Sequence, residues 1–316
     1  MQGRIAFVPE VLPIAPRPIP GELISSWLLR VSFANGLTLP QLIEAIETRF
    51  PGLSLRSAFI DDRLSPGARF ALAKFMRLPE DKVKAHELAQ QFPMLPPEWI
   101  LRPVNWDPGS PDRFAQGRAR YAFCPLCLRE MISGTQTVWI RSEWALVFQT
   151  HCARHRVPLL ERCAVCFVED PLLPITNGSP AIASCWKCGS ALLSYDPDEK
   201  ASSILADVIS LESAILALTA GFPPNPRWAG QSSVQAFFEK LRVLIQYLTT
   251  PTDDRVPPFF RIIDADPHRR HYLFGSQRPE TRVETMSWYC RFSAADDPCA
   301  PAELTCKFKE SGLSTI

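Results

Sequence analysis

Apolar residues recur at helical spacing in the first part of the chain. Between positions 21 and 34, every third or fourth residue is apolar and falls on one side of a helix: Leu23, Trp27, Leu28, Val31 and Ala34. This period predicts a helix with one face in a hydrophobic core. The pattern stops at Asn35-Gly36, where we expect the helix to end.

A second helix is predicted directly after this turn. Thr38 and Gln41 have the spacing of a capping box, in which the two side chains satisfy backbone amides at a helix start. Apolar residues follow at helical spacing: Leu42, Ile43, Ile46 and Phe50. Two short helices joined by a tight turn form a helix-turn-helix candidate, but helical hairpins of any small bundle have the same pattern. The pair therefore either reads DNA or forms core and interaction surface.

Charge adds little to this picture. The 34 Lys and Arg residues nearly balance the 33 Asp and Glu residues, which leaves a formal net charge of +1. Non-specific DNA binding depends on neutralising many phosphates, so the net charge does not favour it. The segment 101–162 is a local exception, with nine Arg residues and five acidic residues. Either these arginines are solvated and partly paired, or they make a weak, local contact with DNA.

The chain has 316 residues, and no run of 18 apolar residues or signal-peptide pattern occurs in it. We therefore expect a cytoplasmic protein without a membrane partner. Ten cysteines in such a protein indicate metal ligands or free thiols, because the cytosol keeps thiols reduced.

Seven cysteines and one histidine form four pairs, each with two residues between its members. The pairs are Cys124/Cys127, Cys152/His155, Cys163/Cys166 and Cys185/Cys188. A turn of this length directs two ligand atoms to one point, and two turns complete a tetrahedron around zinc. Eight ligands predict two structural zinc ions per chain, because a shell closed by protein leaves no position for water.

We expect neighbouring pairs to share an ion, so that the first site contains Cys124, Cys127, Cys152 and His155. The second then contains Cys163, Cys166, Cys185 and Cys188, and Gly189 after it is typical of a zinc knuckle. Interleaved pairing, a single zinc with spare thiols, disulfides and His151 as a substitute ligand remain open. Three further cysteines either stay as buried thiols or hold a third metal: Cys290, Cys299 and Cys306.

These patterns predict a mostly α fold in three parts. Residues 1–118 form a helix-turn-helix-like N-terminal domain, with further helices expected at Ser65-Pro66 and at Pro79-Glu80. Residues 119–198 form a small zinc-knuckle or zinc-ribbon region with the double zinc site. Residues 199–316 form a C-terminal helical domain with apolar periodicity at 199–220 and 232–249 and an irregular end after 251.

Sequence motifs of the common zinc and nucleotide enzymes are missing. No His-x-Glu or HExxH motif occurs, and Phe123 stands where a deaminase has proline before the first cysteine. No phosphate-binding P-loop is present either. We therefore predict no enzymatic activity, no catalytic residue and no cofactor besides zinc.

The order of the motifs resembles the TniQ family of transposition accessory proteins. The resemblance covers about residues 10–190. It comprises Glu22-Leu-Ile-Ser-Ser-Trp-Leu-Leu-Arg30, Asn35-Gly-Leu-Thr38, Cys124-Pro-Leu-Cys127, Cys152-Ala-Arg-His155-Arg-Val-Pro-Leu-Leu160 and Cys163-Ala-Val-Cys166. Trp139 and Trp144 also suit this pattern.

The resemblance implies an adaptor without enzymatic activity. Such proteins link a target-site selector, either a DNA-bound protein or a CRISPR effector, to the AAA+ ATPase that regulates a transposase. The surface for the ATPase would be the polar side of residues 21–50, with Arg30, Gln41 and Glu44. The alternative is a sequence-specific, zinc-containing DNA-binding protein, either a target-site selector or a transcription regulator. Self-association into a homodimer stays open.

Overall fold

The computed structural model describes residues 11–55, 60–96, 99–100, 122–134, 137–168, 183–185, 187–193, 203–223, 234–235, 237–238 and 286. The α-helices in these ranges are α1 (Ile24–Ala34), α2 (Leu39–Arg49), α3 (Pro66–Phe75), α4 (Glu80–Lys84), α5 (Leu88–Gln91), α6 (Pro125–Gly134) and α7 (Ser203–Thr219). A 3-10 helix covers Ser142–Ala145. Isolated β-bridges occur, but the described ranges contain no strand. Nor does any helix within them have the length and hydrophobicity needed to cross a membrane.

The first two helices confirm the sequence pattern. Leu23, Trp27 and Leu28 are fully buried, as the apolar stripe predicted. The capping box at the start of α2 is present, with the Gln41 amide donating to the Thr38 hydroxyl and the Gln41 side chain accepting from the Thr38 amide. The turn between the helices is therefore fixed by local chemistry, as expected for a helical hairpin.

The start of α1 is stabilised by a residue from outside that helix. Leu23, at its N-cap, provides no side-chain hydrogen bond. Instead the buried carboxylate of Asp61 accepts a hydrogen bond of 2.7 Å from the backbone amide of Ser25. A carboxylate at this end satisfies a free amide and interacts favourably with the helix dipole.

α3 begins where expected, and the Ser65 hydroxyl accepts a hydrogen bond of 3.1 Å from the Ala68 amide at its start. Two short helices follow it. The next helix, α4, packs against α3. Neither α5 nor α6 was predicted. α5 has four residues, which is too short for a periodic pattern, and α6 begins inside the first ligand pair at Pro125.

One hydrophobic core includes residues from all three predicted regions. Trp99 stacks on Phe238 with ring centroids 4.5 Å apart, and Phe148 lies 5.9 Å from the same ring. Buried residues of α7 belong to the same core, among them Leu211 and Ile215. The division at 118 and 198 stays a prediction, and most of the expected helix 232–249 lies outside the described residues.

Arg30 and Gln41 are not the freely exposed polar residues that we expected on an interaction surface. The side chain of Arg30 is 12% exposed and forms an ion pair with Glu22, which is completely buried. Gln41 is part of the capping box of α2. Of the three residues, Glu44 is the exposed one. Apolar periodicity did not reveal the roles of Arg30 and Gln41, because it says nothing about polar partners.

Candidate metal centre

The structure brings the four paired motifs together as two separate clusters. We call Cys124, Cys127, Cys152 and His155 the first cluster. Cys163, Cys166, Cys185 and Cys188 form the second cluster. In each cluster the four ligand atoms all lie within 4.8 Å of one another. This grouping is the predicted one, in which neighbouring pairs lie together. The interleaved grouping is not observed.

The first cluster has the spacing of a tetrahedral shell. The Cys127 Sγ atom lies 3.6 Å from the Cys152 Sγ atom and 3.3 Å from Nδ1 of His155, and that nitrogen lies 3.5 Å from the Cys124 Sγ atom. Zinc–sulfur bonds of about 2.3 Å place the sulfurs of a tetrahedron about 3.8 Å apart. The observed distances fit a zinc ion at the centre.

Two different local structures present these ligands. Cys124 directly precedes α6, and the amide of Cys127 in its first turn donates to the Cys124 sulfur at 3.4 Å. Cys152 and His155 lie on a tight turn, where the His155 amide donates to the Cys152 sulfur at the same distance of 3.4 Å. Amide donors of this kind stabilise the negative charge of a thiolate.

His155 is oriented by a carboxylate on its other side. While Nδ1 faces the sulfurs, Nε2 lies 3.0 Å from Oε1 of Glu130 on α6. The second oxygen of Glu130 pairs with the exposed Arg154 at 3.1 Å. A carboxylate on the distal nitrogen holds the ring of a metal-bound histidine in place. Glu130 was not predicted, because its spacing from Cys127 is also that of an ordinary surface residue.

The second cluster is more exposed. Its sulfurs pair across the site, with 3.7 Å between Cys163 and Cys188 and 3.6 Å between Cys166 and Cys185. Cys185 and Cys163 are buried, whereas Cys188 is exposed. All four ligand atoms are thiol sulfurs, a donor set typical of structural zinc.

Three of the four turns share one backbone geometry. The amide four residues after the first ligand donates back to its carbonyl: Arg156 to Cys152 at 2.7 Å, Phe167 to Cys163 at 3.0 Å and Gly189 to Cys185 at 2.8 Å. The donor residue has a left-handed φ of 56°, 56° and 72°, respectively. Glycine adopts this backbone conformation without strain, whereas a residue with a side chain, such as Phe167, adopts it at a cost in free energy. Moreover, Phe167 is 71% exposed.

The chemistry of the donor sets favours a bound cation. Neighbouring sulfurs, first Cys124 and then Cys152, together with burial, raise the pKa of the Cys127 thiol. In the second cluster, burial raises the pKa of the Cys185 thiol to about 12. Several thiolates cannot share so small a volume without a compensating positive charge. A divalent ion supplies that charge, so the residues fit zinc.

Disulfides do not fit either cluster. The seven described cysteines are all free, and the sulfurs of Cys127 and Cys152, like those of Cys166 and Cys185, lie 3.6 Å apart. A disulfide bond is about 2.05 Å long. The sulfurs are therefore spaced for a shared ion and are too far apart for a covalent bond.

The remaining histidines and cysteines do not join these clusters. His151 is buried beside the first cluster, but its Nδ1 lies 2.9 Å from the Thr150 hydroxyl and is not among the clustered ligand atoms. His86 Nδ1 lies 3.0 Å from the carbonyl of Glu22. The other candidates lie outside the described residues: His268, His271, Cys290, Cys299 and Cys306.

The fold and the two clusters define a mostly helical protein that carries two Cys/His groups able to hold metal ions. The TniQ family model matches residues 13–159. Over these residues, somewhat less than half of the chain, the protein is similar to the TniQ family, which is associated with transposition, so the resemblance is confirmed for this segment. The match includes the whole first cluster and ends before the second. A search of curated proteins found no match.

Proposed function

We propose that this chain is a non-enzymatic adaptor of DNA transposition with two structural zinc ions. It would connect a target-site selector to the AAA+ ATPase that regulates a transposase. The selector would be a DNA-bound protein or a CRISPR effector. The TniQ match supports the accessory role, and the thiol-rich clusters support a reducing, cytoplasmic setting.

The zinc ions would act as structural supports. Each cluster provides four protein ligands, which leaves no coordination position for water or substrate. Cys124, Cys127, Cys152 and His155 would hold one ion, and Cys163, Cys166, Cys185 and Cys188 the other. Elemental analysis of purified protein should give two zinc ions per chain, and one or none would contradict the two-site proposal.

The observation that carries the adaptor role over DNA reading is the charge on α2. This helix follows the turn of the helical hairpin and occupies the position of a recognition helix. Its charged side chains are two carboxylates and one cation: Glu44, which is exposed, Glu47, which accepts from the Leu55 amide at 2.9 Å, and the exposed Arg49 in the last turn. Carboxylates at this position repel phosphate, so α2 is better suited to a protein partner.

The described arginines also support this choice. Arg141 pairs with Glu143 at 2.7 Å, and Arg154 pairs with Glu130 at 3.1 Å. Arg129 donates to the carbonyl of Leu193 at 2.8 Å. The two carboxylate partners, Glu143 and Glu130, offset part of the positive charge that the segment 101–162 could offer to DNA, whereas the neutral carbonyl of Leu193 offsets none. We therefore expect weak, salt-sensitive DNA binding by the isolated protein.

A charge reversal on α2 tests the adaptor role. In a Glu44→Arg/Thr48→Arg protein both changed positions are exposed, so the fold and zinc content should persist. Co-purification with the partner AAA+ ATPase, and transposition, should fall at least tenfold. Lys84→Glu, an exposed charge reversal on α4, is the matched control and should behave like the parent.

The alternative, a sequence-specific DNA-binding protein, makes a different prediction. It requires a compact footprint by the isolated chain at moderate salt. If the double variant gained DNA affinity but still bound the ATPase and supported transposition as the parent does, α2 would not be the contact surface. A sequence-specific footprint by the parent without the ATPase would instead favour the DNA-binding alternative.

A further inference from the structure

A glutamate of α7 is buried against the segment that leads into the first cluster. Glu212 is 1% exposed, and its two carboxylate oxygens face residues 149–151. Oε1 accepts from the Thr150 amide at 3.1 Å and from the Thr150 hydroxyl. Oε2 accepts from the His151 amide at 3.1 Å and from the Gln149 side-chain amide at 3.2 Å. One carboxylate thus binds three consecutive residues.

Only a carboxylate can accept all these hydrogen bonds. Both oxygens face donors, and two of the donors are backbone amides, which cannot reverse their role. An amide side chain of the same shape would place its NH2 group against one of these amides. The burial of a carboxylate is costly unless hydrogen bonds offset it, and here several of them do. The site is therefore selective for glutamate at position 212.

The residues held by Glu212 continue directly into the Cys152/His155 turn. Thr150 accepts from the Leu159 amide at 2.8 Å, and Cys152 donates to the Val157 carbonyl at 2.8 Å. These bonds close residues 150–159 into a hairpin with His151 bridged to Pro158. A shift at its base would move Cys152 and His155 together. Cys124 and Cys127, in contrast, are positioned from α6.

We propose that Glu212 is a positioning residue for the first cluster, through which α7 sets the affinity of that cluster for its metal ion. The proposal rests on the metal sites proposed above. It assigns a task to a helix outside the TniQ match of residues 13–159. The metal site of the TniQ segment is then incomplete without the chain that follows it.

The test uses the full chain loaded with Co2+, whose visible spectrum distinguishes a site of three sulfurs and one nitrogen from a site of four sulfurs. Transfer of Co2+ to an added chelator is followed separately for the two clusters. Glu212→Gln should weaken Co2+ binding at the first cluster about tenfold, the lower end of the range for residues that support a metal ligand. The second cluster should change less than about twofold, because none of its four ligands lies on the hairpin of residues 150–159 that Glu212 holds.

The second cluster also serves as an internal control for folding. A merely structural role of Glu212 would loosen both clusters alike. Co2+ release that becomes equally faster at both clusters would therefore overturn the proposal. Unchanged release from the first cluster would overturn it as well. Glu44→Gln makes the same chemical change at an exposed position and should match the parent at both clusters. A parent chain that binds no Co2+ would overturn this proposal together with the metal sites.

If Glu212→Gln yields no folded protein, a milder variant tests the same proposal. Thr150→Val keeps the backbone amide and removes the hydroxyl between His151 Nδ1 and Glu212. We expect about threefold weaker Co2+ binding at the first cluster alone, less than for the full loss of a supporting group. Parent-like binding in this variant would contradict the proposal. A chain that binds Co2+ normally but fails in transposition would contradict only the adaptor function.

Discussion

The guanidinium of Arg30 donates two hydrogen bonds to the carboxylate of Glu22, from Nε to Oε1 at 2.7 Å and from Nη2 to Oε2 at 2.6 Å. The same carboxylate accepts from the Ser26 hydroxyl at 3.0 Å and from the Ile19 amide at 2.9 Å. Both ends of the Glu22-to-Arg30 motif are therefore joined to each other. The motif is a structural unit that fixes the entry of the chain into α1.

Removal of Arg30 should destabilise the fold. In Arg30→Met the buried Glu22 carboxylate loses its counter-charge, and breaking a buried ion pair in this way lowers the free energy of unfolding by about 3 kcal/mol. Urea denaturation measures the change. The Glu22→Gln/Arg30→Met double variant should recover part of it, because no charge stays buried. A loss below about 0.5 kcal/mol, the usual range for surface substitutions, would show that the pair is unimportant.

Glu130 should support metal binding at the first cluster. Glu130→Gln weakens the hydrogen bond that orients His155, so zinc affinity at this cluster should fall about tenfold. Competition with a chromophoric chelator measures it. Arg154→Gln is the matched control, because Arg154 binds the same carboxylate but its side chain is 65% exposed and it does not contact the ligand ring. Equal effects of the two changes would contradict an orienting role for Glu130.

Position 167 in the second cluster, where the backbone is left-handed, should accommodate glycine better than phenylalanine. Phe167→Gly removes backbone strain and little buried surface, so we expect unchanged zinc content and a free energy of unfolding that is equal or up to about 1 kcal/mol higher. The reciprocal change, Gly189→Ala, meets no atom within 4 Å but places a side chain at a φ of 72°. It should cost about 1 kcal/mol. A large loss of stability in Phe167→Gly would mean that its exposed ring has a structural contact.

A chain that ends at residue 198 should not be stable. It lacks α7 and the phenylalanine that stacks on Trp99 with a centroid distance of 4.5 Å. The truncation would expose apolar surface of the shared core, and each buried aromatic or aliphatic side chain contributes about 2 kcal/mol. We expect aggregation or a melting temperature at least 10 °C lower. A soluble fragment with the parent's melting behaviour would instead support independent domains divided at 198.

Local patterns predicted the features that depend on neighbours in the chain. The apolar stripe of α1, the capping box of Thr38 and the start of α3 at Pro66 all involve residues within one or two helical turns, and all were confirmed. Two-residue spacing likewise marked the eight ligand candidates, because a turn of that length directs both ligand atoms the same way. The short α5 gave no such signal.

Features that depend on distant partners needed the tertiary structure. Spacing alone left open which pairs lie together, and the folded chain groups neighbouring pairs by placing α6 beside the turn of Cys152 and His155. Arg30 looked exposed because it lies off the apolar stripe, yet Glu22 binds it. Glu212 lies 62 residues from Thr150 in sequence, and its role follows from a contact that no local period encodes. Helical and turn propensities act within a few residues, whereas buried polar pairs are determined only when the core brings distant elements together.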